Sequence, residues 1–280
     1  MTAAEVVDTH VHVSEPDGGR FPRSGLFPDA PSFTAPVEDL LDKMETAGVD
    51  RAVLIQPSIY GFDHSYLMHC LAEYPGRFAG IVLGDHHDPA FLDELEALAS
   101  KGPLRGIRFA PLISPDRGWF EPSIEPLAAA AARLDLTINL LITPNWFSVA
   151  DQWIERHPEL TIVIDHLGRP DLAETSRESA ATELLRLARH DNVHVKLSAL
   201  PELSAVAYPH QDVWAAVRAI VDAFGADRLL WGSDYPFTAV GGTYADSLTV
   251  LDQILPDLPA ADRQSIVAGT ARRLYRLPGE

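Results

Sequence analysis

Apolar positions along the chain fall into two alternating patterns. Short strand-like runs recur eight times: VVDTHVHV (6–13), RAVLIQ (51–56), FAGIVL (78–83), RGIRF (105–109), LTINLLI (136–142), TIVIDH (161–166), VHVKLS (193–198) and RLLWGSD (228–234). Segments of helical period separate them. In PVEDLLDKMETAG (36–48), Val37, Leu40, Leu41 and Met44 form an i, i+3, i+4, i+7 stripe between Pro36 at a first turn and Gly48 as a stop. PAFLDELEALAS (89–100) repeats the pattern, and DVWAAVRAIVDAFG (212–225) lines up Val213, Val217, Ile220 and Phe224. Strands alternating with helices predict parallel βαβ units. An open doubly wound sheet would share the alternation, but no G-x-G-x-x-G follows the first run. Eight repeats favour a closed (β/α)8 barrel spanning residues 1–280 as one domain. Residues 14–35, rich in Pro, Gly and Phe, are expected to form a long loop on the face where such barrels carry their active sites.

Composition narrows the function classes. With 46% hydrophobic and 22% charged residues, the 280-residue chain has ample material for a core. Its net charge of −18, without a run of Lys and Arg, argues against nucleic acid or an anionic membrane as partner and leaves a small-molecule substrate. A homo-oligomer is compatible with it. Cys70 is the only cysteine, which excludes an internal disulfide and a cysteine-rich zinc module. No signal-type segment precedes the first run, and no run approaches about 18 apolar residues, so a cytoplasmic protein is expected.

In a barrel, the C-terminal ends of the strands surround the active site, so the polar residues there are the candidates. Strict alternation in the first run would place Asp8, His10 and His12 on one face and Val7, Val11 and Val13 on the other. Histidines at i and i+2 can converge on one centre; a half-exposed edge strand would show the same pattern. Arg108 ends the fourth run, His166 the sixth, Lys196 and Ser198 the seventh, and Asp234 the eighth. Gln56, Ser58 and Tyr60 follow the second run, and Asn145 and Trp146 the fifth. Each has an ordinary explanation, such as a turn cap or a buried ion pair. Polar groups at the ends of five strands together point to one shared site.

The motifs DTHVHV, GIRF, VIDHLGRP, VKLS and LLWGSDYP, in this order and spacing, resemble the amidohydrolase superfamily. Within it the chain is most similar to the branch of amidohydrolase-related lactonases, which act on pyrone dicarboxylate, sugar lactones and sulfomuconolactone. The stretch 21–67 and the closing IVAGTARRLYRL (266–277) extend the resemblance over nearly the whole chain. It implies a distorted (β/α)8 barrel and hydrolysis by an activated water, with His10, His12, His166 and Asp234 matching the family's metal-binding and catalytic positions. Two departures stand out. The fifth run ends in LLITPNW, without the histidine many relatives have there, and Thr270 replaces the usual Asn of a closing GNA, which we take as a packing detail.

The chemistry implied is the opening of a lactone bearing a carboxylate or sulfonate. Asp234 would take a proton from water. The scissile carbonyl would be polarised either by one divalent cation, zinc foremost, on His10, His12, His166 and Asp234, or without metal by the imidazoles as donors. Arg108 and Lys196 would hold the anionic group. Gln56, Ser58, Asn145 and the aromatics Tyr60, Trp119 and Trp146 would line the substrate, although each aromatic serves equally well in packing. Two other functions fit the same residues: a non-oxidative decarboxylase of an aromatic or unsaturated acid, and an inactive barrel that binds a small molecule.

Overall fold

The computed structural model describes residues 4–114, 119–170, 182–240 and 242–277. All eight expected strands form, within a few residues of the expected limits: β1 Val7–Val11, β2 Arg51–Ile55, β3 Phe78–Leu83, β4 Leu104–Phe109, β5 Thr137–Leu140, β6 Ile162–Ile164, β7 Val193–Leu197 and β8 Leu229–Trp231. They pair in parallel in chain order, β1 to β8. The barrel closes just beyond β8, where Tyr235 bridges Val11, His12 N donates to Tyr235 O at 2.7 Å, and Asp234 N donates to His10 O at 2.8 Å.

The predicted helices lie between the strands. Helix α1 (Val37–Ala47) buries Val37, Leu40 and Met44 and stops at Gly48, whose left-handed φ of 70° suits glycine. Then come α2 (Ser65–Glu73), α3 (Phe91–Lys101), α4 (Glu125–Leu134), α5 (Phe147–Arg156), α6 (Thr182–Arg186) and α7 (Leu200–Leu203). The expected helix over 212–225 is a 3-10 turn at Gln211–Val213 followed by α8 (Trp214–Phe224), and its whole predicted stripe is buried. Helices α9 (Tyr244–Ile254), α10 (Ala260–Gln264) and α11 (Thr270–Tyr275) end the chain. None of the described helices is long and apolar enough to cross a membrane.

Alternate strand residues fill the barrel. Val7, Val53, Ile55, Ala79, Ile81, Val163 and Leu230 pack with Ala268, Ala271 and Tyr275, so α11 plugs the end where the strands begin. Arg105 Nε donates to Tyr275 O there, at 2.8 Å.

Strict alternation fails in β1. Asp8 pairs with Ala52 and Val11 with Leu54, so Thr9 and His10 together face the single residue Val53. Such a bulge reverses which face the following side chains take. Val7 therefore points into the barrel, Asp8 points out, and His10 and His12 point into the mouth. The expectation that Asp8 shares their face is corrected. Its buried carboxylate accepts from Ser233 N (2.9 Å), His10 N (3.1 Å) and Tyr244 Oη on α9 (2.8 Å), bracing the bulge from outside.

Candidate active site

His10, His12, His166 and Asp234 meet at the open end of the barrel. Asp234 Oδ1 lies 3.6 Å from His10 Nε2, 3.7 Å from His12 Nε2 and 3.8 Å from His166 Nε2. The His10 and His12 Nε2 atoms are 3.3 Å apart. The backbone bends sharply to present these groups. His166, Leu167, Gly168 and Arg169 form a left-handed turn (φ 53°, 55°, 69° and 46°) directly after β6, and Asp234 has φ 64°. Left-handed conformations cost non-glycine residues energy and concentrate at functional sites.

Behind the histidines sits a buried network centred on Asp165, which the sequence did not single out although it precedes His166 in the same motif. Its carboxylate receives Arg108 Nε at 2.9 Å, Lys196 Nζ at 3.1 Å and Asn139 Nδ2 at 3.4 Å. Burial alone would raise its pKa, but Lys196, His10 and Arg108 hold it well below the usual carboxylate range. Asp165 is thus ionised and lies 3.4 Å from His10 Nδ1, while His10 Nε2 faces the cluster. His12 donates from Nδ1 to Ile55 O at 2.9 Å, which leaves its Nε2 bare toward the cluster. Burial pushes His12 down to about 3, aided by Arg108, and lowers His10 and His166 well below their ordinary value. Neutral imidazoles such as His10 and His12, with Nε2 atoms aimed at one point, are what a metal ion requires.

The donor set fits a divalent cation. Ligand atoms of His10, His12 and Asp234 all lie within 4.8 Å of one another. A tetrahedral zinc site places its ligand atoms about 3.3 Å apart and, when catalytic, uses three protein ligands with one position open. Asp234 Oδ1 is buried without a hydrogen-bond partner, an orphan that a cation would satisfy. Burial, with Glu202 next, raises the Asp234 pKa well above its ordinary value. His166 was expected as a fourth ligand. It stands outside the three-residue group, with Nδ1 2.9 Å from Ser198 Oγ.

The remaining candidates divide. Ser58, Arg108 and His166 line the cleft above the cluster, together with His12, Asp234, Pro31, Phe33, Pro57, Leu112, Ile113, Leu141, Arg169, Glu202 and Phe237. The expected loop supplies Phe33, pinned by Ser14 Oγ and Arg23 to its carbonyl and packed on Phe237 at 5.2 Å. Lys196 is placed differently from expectation: it is fully buried behind His10, its Nζ 3.2 Å from Nδ1, and off the cleft wall. Gln56 spends its amide on the carbonyls of Gly61 and Asp63. Tyr60 Oη accepts from Glu15 N, anchoring the loop. Asn145 is exposed and bonded to Thr143, Trp146 packs on Phe120, and Trp119 packs on Phe109. None of these lines the cleft. Arg169 and Glu202, joined at 2.8 Å, were missed; Arg169 lies inside the DHLGRP motif, whereas nothing marks Glu202 in the sequence.

Comparison with known proteins agrees with this architecture. The chain is 32% identical over 252 residues to the L-fucono-1,5-lactonase of Burkholderia ambifaria, covering 86% of this chain and 84% of that protein. It is 30% identical over 274 residues to the 4-sulfomuconolactone hydrolase of Rhizobium radiobacter, covering 96% and 89%. In fold it matches an amidohydrolase from Burkholderia multivorans solved with bound zinc, with a TM-score of 0.82, 24% identity and coverage of 98% and 100%. The amidohydrolase family model matches residues 7–277, from the first strand through the helix that plugs the barrel, and the chain belongs to that family.

Proposed function

We propose that this hydrolase opens a lactone carrying an anionic group, by attack of water on the ring carbonyl. The observation that carries the reading is the orphaned Asp234 Oδ1 facing three imidazole Nε2 atoms at the foot of an otherwise largely apolar cleft. The names of the relatives, a fuconolactonase and a sulfomuconolactone hydrolase, support ring opening as the reaction.

In this mechanism Asp234 accepts a proton from the attacking water, and its burial raises its proton affinity as a base requires. The acyl–oxygen bond of the ring breaks, and Asp234 returns the proton to the departing ring oxygen. His166, receiving a hydrogen bond from Ser198 at Nδ1, donates from Nε2 to the developing oxyanion. A divalent cation, zinc foremost, on His10, His12 and Asp234 would supply Lewis-acid polarisation of the carbonyl and acidify water. Arg108, part of the cleft wall, meets the anionic group of the substrate with its terminal nitrogens while Nε stays on Asp165.

The test is a lactone panel followed by acid release, with metal content measured in parallel on wild type, His10→Ala and His12→Ala. Ring opening by wild type and loss of both bound metal and turnover in the variants are expected. Carbon dioxide release without ring opening would replace this reading with decarboxylation.

A further inference from the structure

The cleft wall contains two guanidinium groups among the described residues, and neither is free. Arg108 gives Nε to Asp165 but keeps its terminal nitrogens on the cleft side, NH2 lying 3.5 Å from His10 Nε2. Arg169 is differently engaged. Its NH1 donates to Glu202 Oε2 at 2.8 Å, and both side chains are about one quarter exposed (27% and 26%). Whereas Asp165 is wholly buried behind Arg108, Glu202 is itself part of the wall. An anionic group approaching Arg169 therefore meets a carboxylate on the same guanidinium. The local backbone holds this pair in place. Arg169 ends the left-handed turn after β6, and Ala199, with φ 57°, precedes α7, which carries Glu202 beside it. Apart from Arg108, Arg169, Glu202, the histidine–aspartate cluster and Ser58, the wall among the described residues is apolar and offers no third guanidinium or ammonium.

From this geometry we infer that Glu202 determines specificity: by occupying Arg169 it restricts the cleft to lactones with no more than one anionic group, the one that Arg108 receives. The inference rests on the lactone-hydrolase reading and narrows its substrate class. A like-charge neighbour placed against one class of ligand is a recurrent way to build selectivity. Removing the charge of Glu202 while keeping its shape should release Arg169 for a second carboxylate.

The experiment compares kcat/KM for muconolactone, with one carboxylate, and 2-pyrone-4,6-dicarboxylate, with two, in wild type, Glu202→Gln and the double variant Glu202→Gln/Arg169→Met. Wild type should favour the monocarboxylate at least tenfold. In Glu202→Gln the ratio of dicarboxylate to monocarboxylate should rise at least tenfold, and the double variant should lose that gain. A wild-type preference for the dicarboxylate, or a ratio that Glu202→Gln leaves in place, would overturn the proposal. Absence of turnover on both lactones would instead sink the lactonase reading. Calorimetric binding of the dicarboxylate then decides the role of Glu202: at least tenfold tighter binding to Glu202→Gln supports it, and equal binding overturns it.

Discussion

Asp234 N donates to His10 O at 2.8 Å while Asp234 Oδ1 lies 3.6 Å from His10 Nε2, so the hydrogen bond that closes the barrel also assembles the reactive cluster. The first and last strands are far apart in the chain, and the site exists only where they meet. Its geometry therefore depends on residues that never face the cleft.

Asp8 is the clearest of these. Its carboxylate satisfies His10 N inside the bulge, Ser233 N beside Asp234, and Tyr244 Oη. Asp8→Ala would leave these buried donors unpaired, at a cost of about 1–3 kcal/mol for a first lost partner. We expect lower stability in urea unfolding together with at least tenfold lower turnover, although Asp8 touches no substrate. Unchanged kcat in a destabilised Asp8→Ala protein would show that the bulge does not aim His10.

Arg108 joins scaffold and cleft. Because its Nε bonds the fully buried Asp165, Arg108→Ala should destabilise the fold by about 3 kcal/mol, as breaking a buried ion pair does. It should also raise KM for an anionic lactone more than for a neutral one. Urea unfolding and the two kcat/KM values measure both effects. Full stability would contradict the pairing, and equal losses on the two lactones would confine Arg108 to the scaffold.

His194, on β7, is buried away from the cleft, and burial, with Arg273 next, lowers its pKa to about 4. The unfolded chain binds this proton near the ordinary histidine value, so between about pH 6.5 and 4 it holds more protons than the folded chain. Stability from this group is complete above the unfolded pKa and is lost as pH falls toward the folded one, about 3 kcal/mol in all. Urea unfolding at pH 7 and pH 4.5 should therefore show a smaller acid loss for His194→Gln than for wild type. Equal losses would mean that His194 titrates alike in both states.

Periodicity and spacing were enough to recognise eight strands, most of the helices and the barrel, because inward and outward faces repeat with fixed periods. The cluster His10, His12 and Asp234 was legible because all three sit at strand ends inside distinctive motifs. The bulge at Thr9 and His10 was not, since alternation in VVDTHVHV reads correctly on either side of it and only the register with β2 reveals the shift. Lys196 illustrates a second limit. Its place near a strand end suggested the cleft, yet one step toward the barrel interior puts it behind His10, where Asp165 pairs with it. Glu202 lies on a four-residue helix with no sequence signature, and only the left-handed residue before it brings it to Arg169.

The most direct test of the central claim is kcat/KM of Asp234→Asn against wild type on a lactone that wild type opens, with folding checked by circular dichroism. Asn keeps the size of the side chain and the backbone bond to His10 O while removing the base. The account predicts a folded protein with turnover lowered by about 10²–10⁴-fold. Near wild-type turnover by the folded variant would contradict it.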